Sequence, residues 1–250
     1  MEKVTLLKSR LKAIGHTLSH NTYALGLLGL GSAGNEIDRM DEYSDLDFFV
    51  IVKEGAKQQF IQDLSWLSQV QSIAWCFLNT PDGYKLLFSD GVFCEFAVFE
   101  VPELRFIPYS EGRFIWKHDA LNEDLKKPTV APPSECDDKA YLLAELLTNL
   151  YVGLGRYRRG EKLSAMRFIQ IYAVDRLISL LDLESNNRVS KDPFCLDRRV
   201  EQRHSAHEKL LTACCQGAQN SAISAGVMLD FVVENYNVDS ALEHEIRLLI

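Results

Sequence analysis

Apolar positions along this chain follow two different periods, and the point where one gives way to the other divides it. Val4, Leu7, Leu11, Ile14 and Leu18 recur at helical spacing and predict an amphipathic helix over residues 2–20. Ala24 to Leu30 is a continuous apolar run that reads as a buried strand. Beyond Ser44 the pattern alternates, with Leu46, Phe48 and Val50 on one face. Phe60, Leu64 and Leu67 predict a crossover helix over residues 56–70. Ile73–Asn79, Tyr84–Phe88 and Val92–Phe99 follow as strands, the first two joined by the turn Pro81-Asp82-Gly83. A further hairpin is expected around Ser110-Glu111-Gly112.

From Asp119 to Asp138 the periodicity disappears and Pro128, Pro132 and Pro133 accumulate, so this segment reads as an interdomain linker. Everything after it is helical in pattern. Asp137-Asp138 starts a helix that runs to about Arg159 and is closed by Gly160. Leu163, Met166, Ile169, Ala173, Leu177 and Leu180 form one stripe of the next helix, with Met166 read as core, and Leu242, Ile246 and Leu249 form a stripe of the last. The expected fold class is α+β. A mixed sheet with flanking helices occupies residues 1–125, a linker 126–136, and an all-helical bundle of four or five helices 137–250.

Chemistry concentrates in LGSAGNEIDRMDEYSDLDFFV, residues 30–50. Asp45 and Asp47 lie at i and i+2, so in an extended strand both carboxylates leave the face opposite Leu46, Phe48 and Val50. Adjacent carboxylates repel unless a cation lies between them, and Mg²⁺ favours carboxylate together with phosphate oxygens. The implied co-substrate is a nucleoside triphosphate. Gly31-Ser32, between a strand and the expected opening of a short helix at Ala33-Gly34-Asn35-Glu36, can cradle phosphate with backbone N–H groups and the Ser32 hydroxyl. Taken singly, Gly31-Ser32 is an ordinary turn and the acidic pair is the wet face of an edge strand. Spacing and flanking strands join them. Glu95 is the only charged residue inside the strand Val92–Phe99, where a lone acid is costly without a partner. Asp90, beside Gly91, is explained by turn chemistry.

Leu30, Gly31, Ser32, Asp45, Leu46, Asp47 and Phe48 fill the slots of a motif that resembles the signature of the DNA polymerase β-like nucleotidyltransferase superfamily. Joined to a helical second half, the layout is similar to the lincosamide and aminoglycoside (antibiotic) nucleotidyltransferases. The resemblance implies a Mg²⁺-dependent enzyme of the EC 2.7.7 type that moves a nucleoside monophosphate, with AMP expected, to a hydroxyl of a small acceptor. It also implies that Asp45, Asp47 and Glu95 are catalytic and metal-holding, with one or two ions bound, and that Glu95 either ligates metal or accepts the acceptor's proton. A possible homodimer is carried over by the same analogy. Rival readings are an antitoxin or binding module of this fold and an enzyme that nucleotidylates protein side chains.

Charge narrows the partners. Residues 1–130 hold 13 Lys/Arg against 18 Asp/Glu and residues 131–250 hold 14 against 17, a net of −5 and −3. Neither half offers the basic track that nucleic acid requires, so no nucleic-acid partner is expected. Arg156, Arg158, Arg159, Lys162 and Arg167 crowd one stretch, opposed only by Glu161, and Arg159 and Arg167 are the candidates for gripping the triphosphate. Their competing explanation is a solvated helix end. Asp192–Arg199 reads as a solvated loop and His204 and His207 as surface residues. The six cysteines show no metal-ligand spacing and are expected to be reduced and mostly buried. No signal-like N-terminus or membrane-length apolar run is present, so a cytoplasmic protein with no membrane partner is expected.

Overall fold

The computed structural model describes residues 2–131, 136–185 and 191–250. The chain divides into two compact units, Met1–Pro132 and Pro133–Ile250. Of the expected linker, Pro132, Pro133, Ser134 and Glu135 lie outside the described residues.

The first unit is α+β. Helix α1 (Glu2–Ser19) precedes β1 (Ala24–Gly29) and β2 (Leu46–Val52), then α2 (Lys57–Gln62), α3 (Ser65–Ser68), β3 (Ile73–Thr80), β4 (Gly83–Phe88), β5 (Phe93–Glu100) and β6 (Arg113–Lys117). The six strands form one mixed sheet in the order β3-β4-β5-β2-β1-β6. Only the β2–β5 pairing is parallel; its partner ladders are antiparallel. One face of the sheet buries Phe48, Leu86 and Phe96 in a cluster with Leu7, Ile14 and Leu18 of α1 and Phe60 and Trp66 of α2 and α3. Each such side chain removed from water contributes about 1.5–3 kcal/mol. A smaller cluster on the other face joins Leu28, Ile51 and Phe99 to Leu104, Tyr109 and Leu121.

Three expectations change here. The helix expected over 56–70 is two short helices, because the Asp63 carboxylate accepts from Ser65 N–H and hydroxyl, both at 2.9 Å, and restarts the chain. The expected hairpin at 110–112 is not formed: β6 pairs with β1, matching Gly29 to Arg113. An apolar strand such as β1 needs a neighbour on each edge, and β6 covers the second one. The polar stretch from Asp119 is also not free. Leu121 is buried, and the Tyr109 hydroxyl donates to the Leu125 and Lys127 carbonyls at 2.7 and 3.0 Å. Burial raises the Tyr109 pKa. Residues up to Val130, which bridges to Pro108, therefore belong to the first unit.

The second unit is helical. Helix α4 (Lys139–Arg158) starts where the Asp138 side chain accepts from Tyr141 N–H at 3.0 Å, and Gly160 follows its end at φ +85°. Then come α5 (Lys162–Met166), a π-helical segment Arg167–Ala173, α6 (Val174–Glu184), α7 (Val200–Arg203), α8 (Glu208–Ala213), α9 (Ser221–Asn235) and α10 (Ser240–Leu249). Leu146, Leu150, Ile169, Leu177, Met228 and Ile246 lie in its core. The stripe expected from Leu163 to Leu180 fails at its start: Leu163 is exposed and Met166 only half-buried. A π turn holds more residues than an α turn, so it rotates the face that precedes it.

His204 is buried and not at the surface. Its Nε2 lies 2.6 Å from Asp182 Oδ1, and Lys191 meets the same carboxylate at 2.8 Å. Burial works to raise the Asp182 pKa, but Lys191 and His204 outweigh it and hold it low. The cysteines are likewise less buried than expected: all six are free, but only Cys94 and Cys214 are buried. Cys76 is exposed because β3 is an edge strand. Among the described residues no helix is long and apolar enough to cross a membrane.

Candidate active site

Strand β2 presents its acids from the middle of the sheet. Leu46, Phe48 and Val50 are buried on the helix-covered face, so the alternation sends Asp47 to the other; Asp45 immediately precedes the strand, and both acids are half-buried. Because β2 lies between β5 and β1, the acids do not belong to a wet edge strand. Carboxylates at such a position demand an explanation in charge.

Glu95 stands beside them. The parallel register matches Asp47 to Glu95, the β4–β5 register matches Lys85 to Glu95, and the β3–β4 register matches Phe77 to Lys85. Directly matched residues share a face, so Asp47, Glu95, Lys85 and Phe77 form one row across four strands. Lys85 Nζ lies 3.2 Å from Glu95 Oε2, and Asn79 Nδ2 donates to Glu95 Oε1 at 3.2 Å. The Glu95 carboxylate is therefore held from the β3–β4 side. On the opposite face, burial pushes the Cys94 thiol far up, Arg10 opposes this, and the charges of Asp45 and Asp47 push it further the same way. Cys94 is thus a buried thiol in the core beneath the acids.

The Gly31-Ser32 turn closes the same end of the sheet. Leu30 N–H donates to the Asp47 carbonyl at 2.8 Å, which ties the turn to the acidic strand. Gly31 takes φ +49°, a conformation that L side chains rarely adopt, and leads a 3₁₀ turn, Gly31–Ala33, in place of the expected helix opening. The turn is tight: a Cβ on Gly34 would come 2.4 Å from the Gly29 carbonyl oxygen. Arg113 on β6 donates through Nε to the Gly34 carbonyl at 3.1 Å and through Nη2 to the Ala33 carbonyl at 3.4 Å. Sequence reasoning missed Arg113, because its place beside the turn depends on β6 pairing with β1. It missed Lys85 and Asn79 for the same kind of reason.

Gly31, Ser32, Asp45, Asp47 and Glu95 thus gather in the first unit, whereas Arg159 and Arg167 belong to the second. Arg159 Nε donates to Glu161 at 2.9 Å, and Arg167 is exposed. Their neighbours in the basic stretch are engaged within the bundle: Arg156 lies over the Phe168 ring and Arg158 donates to the Leu249 carbonyl at 2.8 Å. Asp90 proves structural. It pairs with the buried Arg10 of α1, which itself stacks on Phe88.

The donor set of Asp45, Asp47 and Glu95 is all carboxylate oxygen, the chemistry that suits Mg²⁺. Among the described residues no group of three or more His, Cys, Asp or Glu side chains is gathered tightly enough to hold a metal ion. Asp45 and Asp47, two residues apart and both half-buried, are the carboxylates that could hold a metal.

No known protein family matches the chain, and no curated protein matches it. Among the solved structures that match it are two that align over most of its length. An aminoglycoside 6-adenyltransferase from Bacillus subtilis is 12% identical, covers 96% of this chain and 95% of its own, and gives a TM-score of 0.39. The STING-associated CdnE c-di-GMP synthase from Capnocytophaga granulosa is 14% identical, covers 99% of this chain and 78% of its own, and gives a TM-score of 0.35. At such scores the likeness decides neither fold nor activity, which rest on this chain's own register and residues.

Proposed function

We propose that the protein is a Mg²⁺-dependent nucleotidyltransferase that moves a nucleoside monophosphate, AMP in the simplest case, from a nucleoside triphosphate to a hydroxyl of a small acceptor such as a lincosamide or aminoglycoside. The observation that carries this reading is the placement of Asp47 and Glu95 side by side on central strands, next to the Gly31-Ser32 turn. Asp45 and Asp47 would hold the metal, whose charge eases the build-up of negative charge at the α-phosphorus. Ser32 and the turn orient the β- and γ-phosphates, and Arg113 keeps that turn in shape. Glu95 takes the proton of the attacking hydroxyl, its carboxylate aimed by Lys85 and Asn79.

Titration calorimetry with ATP, with and without Mg²⁺, tests the reading. The wild type should bind with a metal-dependent component that Asp47→Ala removes. Equal metal-dependent binding by both proteins would withdraw the assignment of the site.

A further inference from the structure

The row that begins at Asp47 ends on two aromatic rings that the fold leaves in solvent. Trp75 and Phe77 of β3 are 51% and 54% exposed, and their rings stack at 6.3 Å between centroids and 29° between planes. Trp75 is matched to Leu87 as Phe77 is to Lys85, so both rings stand on the face that carries Asp47 and Glu95. Strands lie about 4.8 Å apart, which puts β3 about 10 Å from β5 and about 14 Å from β2. The same strand also supplies Asn79, whose amide holds Glu95. Paired aromatic rings on an open edge strand are a liability for a soluble sheet unless something covers them.

We propose that Trp75 and Phe77 are the acceptor platform of the nucleotidyl-transfer site, and that the acceptor carries a planar apolar or aromatic group beside its reacting hydroxyl. This rests on the function proposed above and narrows its acceptor, since the saturated-ring antibiotics named there carry no such flat group. Strand order supports it: the phosphate-cradling turn follows β1 on one side of β2, whereas Glu95 and the rings lie successively outward on the other. With the triphosphate on the β1 side, the acceptor enters over β5, β4 and β3. A molecule about 10 Å long sets its hydroxyl over Glu95 while its flat end rests on the rings.

Phenyl and methyl β-D-glucopyranoside form a matched pair of probes that differ only in the flat group. Their effect on Trp75 emission is read as the difference between wild type and Trp75→Phe, with Mg²⁺-ATP present. The phenyl glycoside should act saturably at about ten-fold lower concentration than the methyl glycoside, the ratio that corresponds to about 1.4 kcal/mol and falls within base–aromatic stacking strengths. Phe77→Ala should bring the ratio towards one without changing the melting temperature. Equal responses to the two glycosides, or none to either, would overturn the platform. So would a shift of Trp75 emission by Mg²⁺-ATP alone, which gives the rings to the nucleobase. Sedimentation showing a dimer that Phe77→Asp dissolves gives them to a second copy through the β3 edge and overturns it equally. The two readings fail separately. A flat phenyl-to-methyl ratio with intact metal-dependent ATP binding removes only the platform, whereas absent metal-dependent ATP binding removes the nucleotidyl-transfer reading.

Discussion

Glu95 shows how far a single residue's meaning depends on what faces it. Its strand is apolar enough that an unaccompanied carboxylate would be costly, and the structure supplies Lys85 and Asn79 as company. Both members of the ion pair are about two-fifths exposed, so the pairing is worth little as stability and more as aim. A carboxylate held from one side keeps its remaining lone pairs for the face shared with Asp47. Glu95→Gln preserves shape and the Asn79 contact but removes the carboxylate that the proposed function makes the proton acceptor. Turnover measured as pyrophosphate release should fall by about 10²- to 10⁴-fold, the range expected for losing a general base, while ATP affinity is retained. Undiminished turnover would end the base assignment, and loss of affinity in step with turnover would make Glu95 a metal ligand.

Between elements, clamps made of one buried polar group recur. Gln170, on the π segment, donates to the Gly217 carbonyl at 2.8 Å and the Ser221 hydroxyl at 2.9 Å and accepts from Gly217 N–H at 2.9 Å, so one side chain fixes the start of α9. Arg10 does the corresponding work for α1, binding Asp90 at the β4–β5 turn. Burial works to raise the Asp90 pKa, but the hydrogen bond and charge of Arg10 overcome it and hold it below the usual carboxylate value. A depressed folded-state pKa means that the clamp's stabilisation is fully present above the unfolded value near 4 and is lost as pH falls through the folded one. Urea melts across this acid range should show the wild type losing that increment. Arg10→Met should already lack it, being less stable by about 1–3 kcal/mol near neutral pH. Parallel pH profiles for the two proteins would mean that the pair contributes nothing.

At the scale of the molecule, each unit buries its own core, one around a mixed sheet and one among helices. The acids, the Gly31-Ser32 turn and the aromatic row all lie in the first unit, so a ligand bound there stabilises the folded chain by mass action. Mg²⁺-ATP at about a hundred times its dissociation constant should add about 2.7 kcal/mol and raise the melting temperature measurably. ATP with a chelator should leave it in place. A similar rise under both conditions would mean that nucleotide binds without the acidic pair.

Much of this was legible in the chain. Period-two alternation fixed which face of β2 each residue takes, because successive side chains in a strand point opposite ways whatever the strand pairs with. The same local logic placed α1, the end of α4 at Gly160 and the change from sheet to helices. Pairing between strands is not local. Nothing in residues 44–50 states that β2 will lie beside β5, across a crossover and a hairpin. That choice is made by the burial of Leu46, Phe48, Cys94 and Phe96 together against one helical layer. With it came what the sequence alone did not disclose: Lys85 and Asn79 on Glu95, Arg113 on the turn, and Trp75 and Phe77 on the acid face. Each follows from register, which is a property of the whole sheet and of no segment within it.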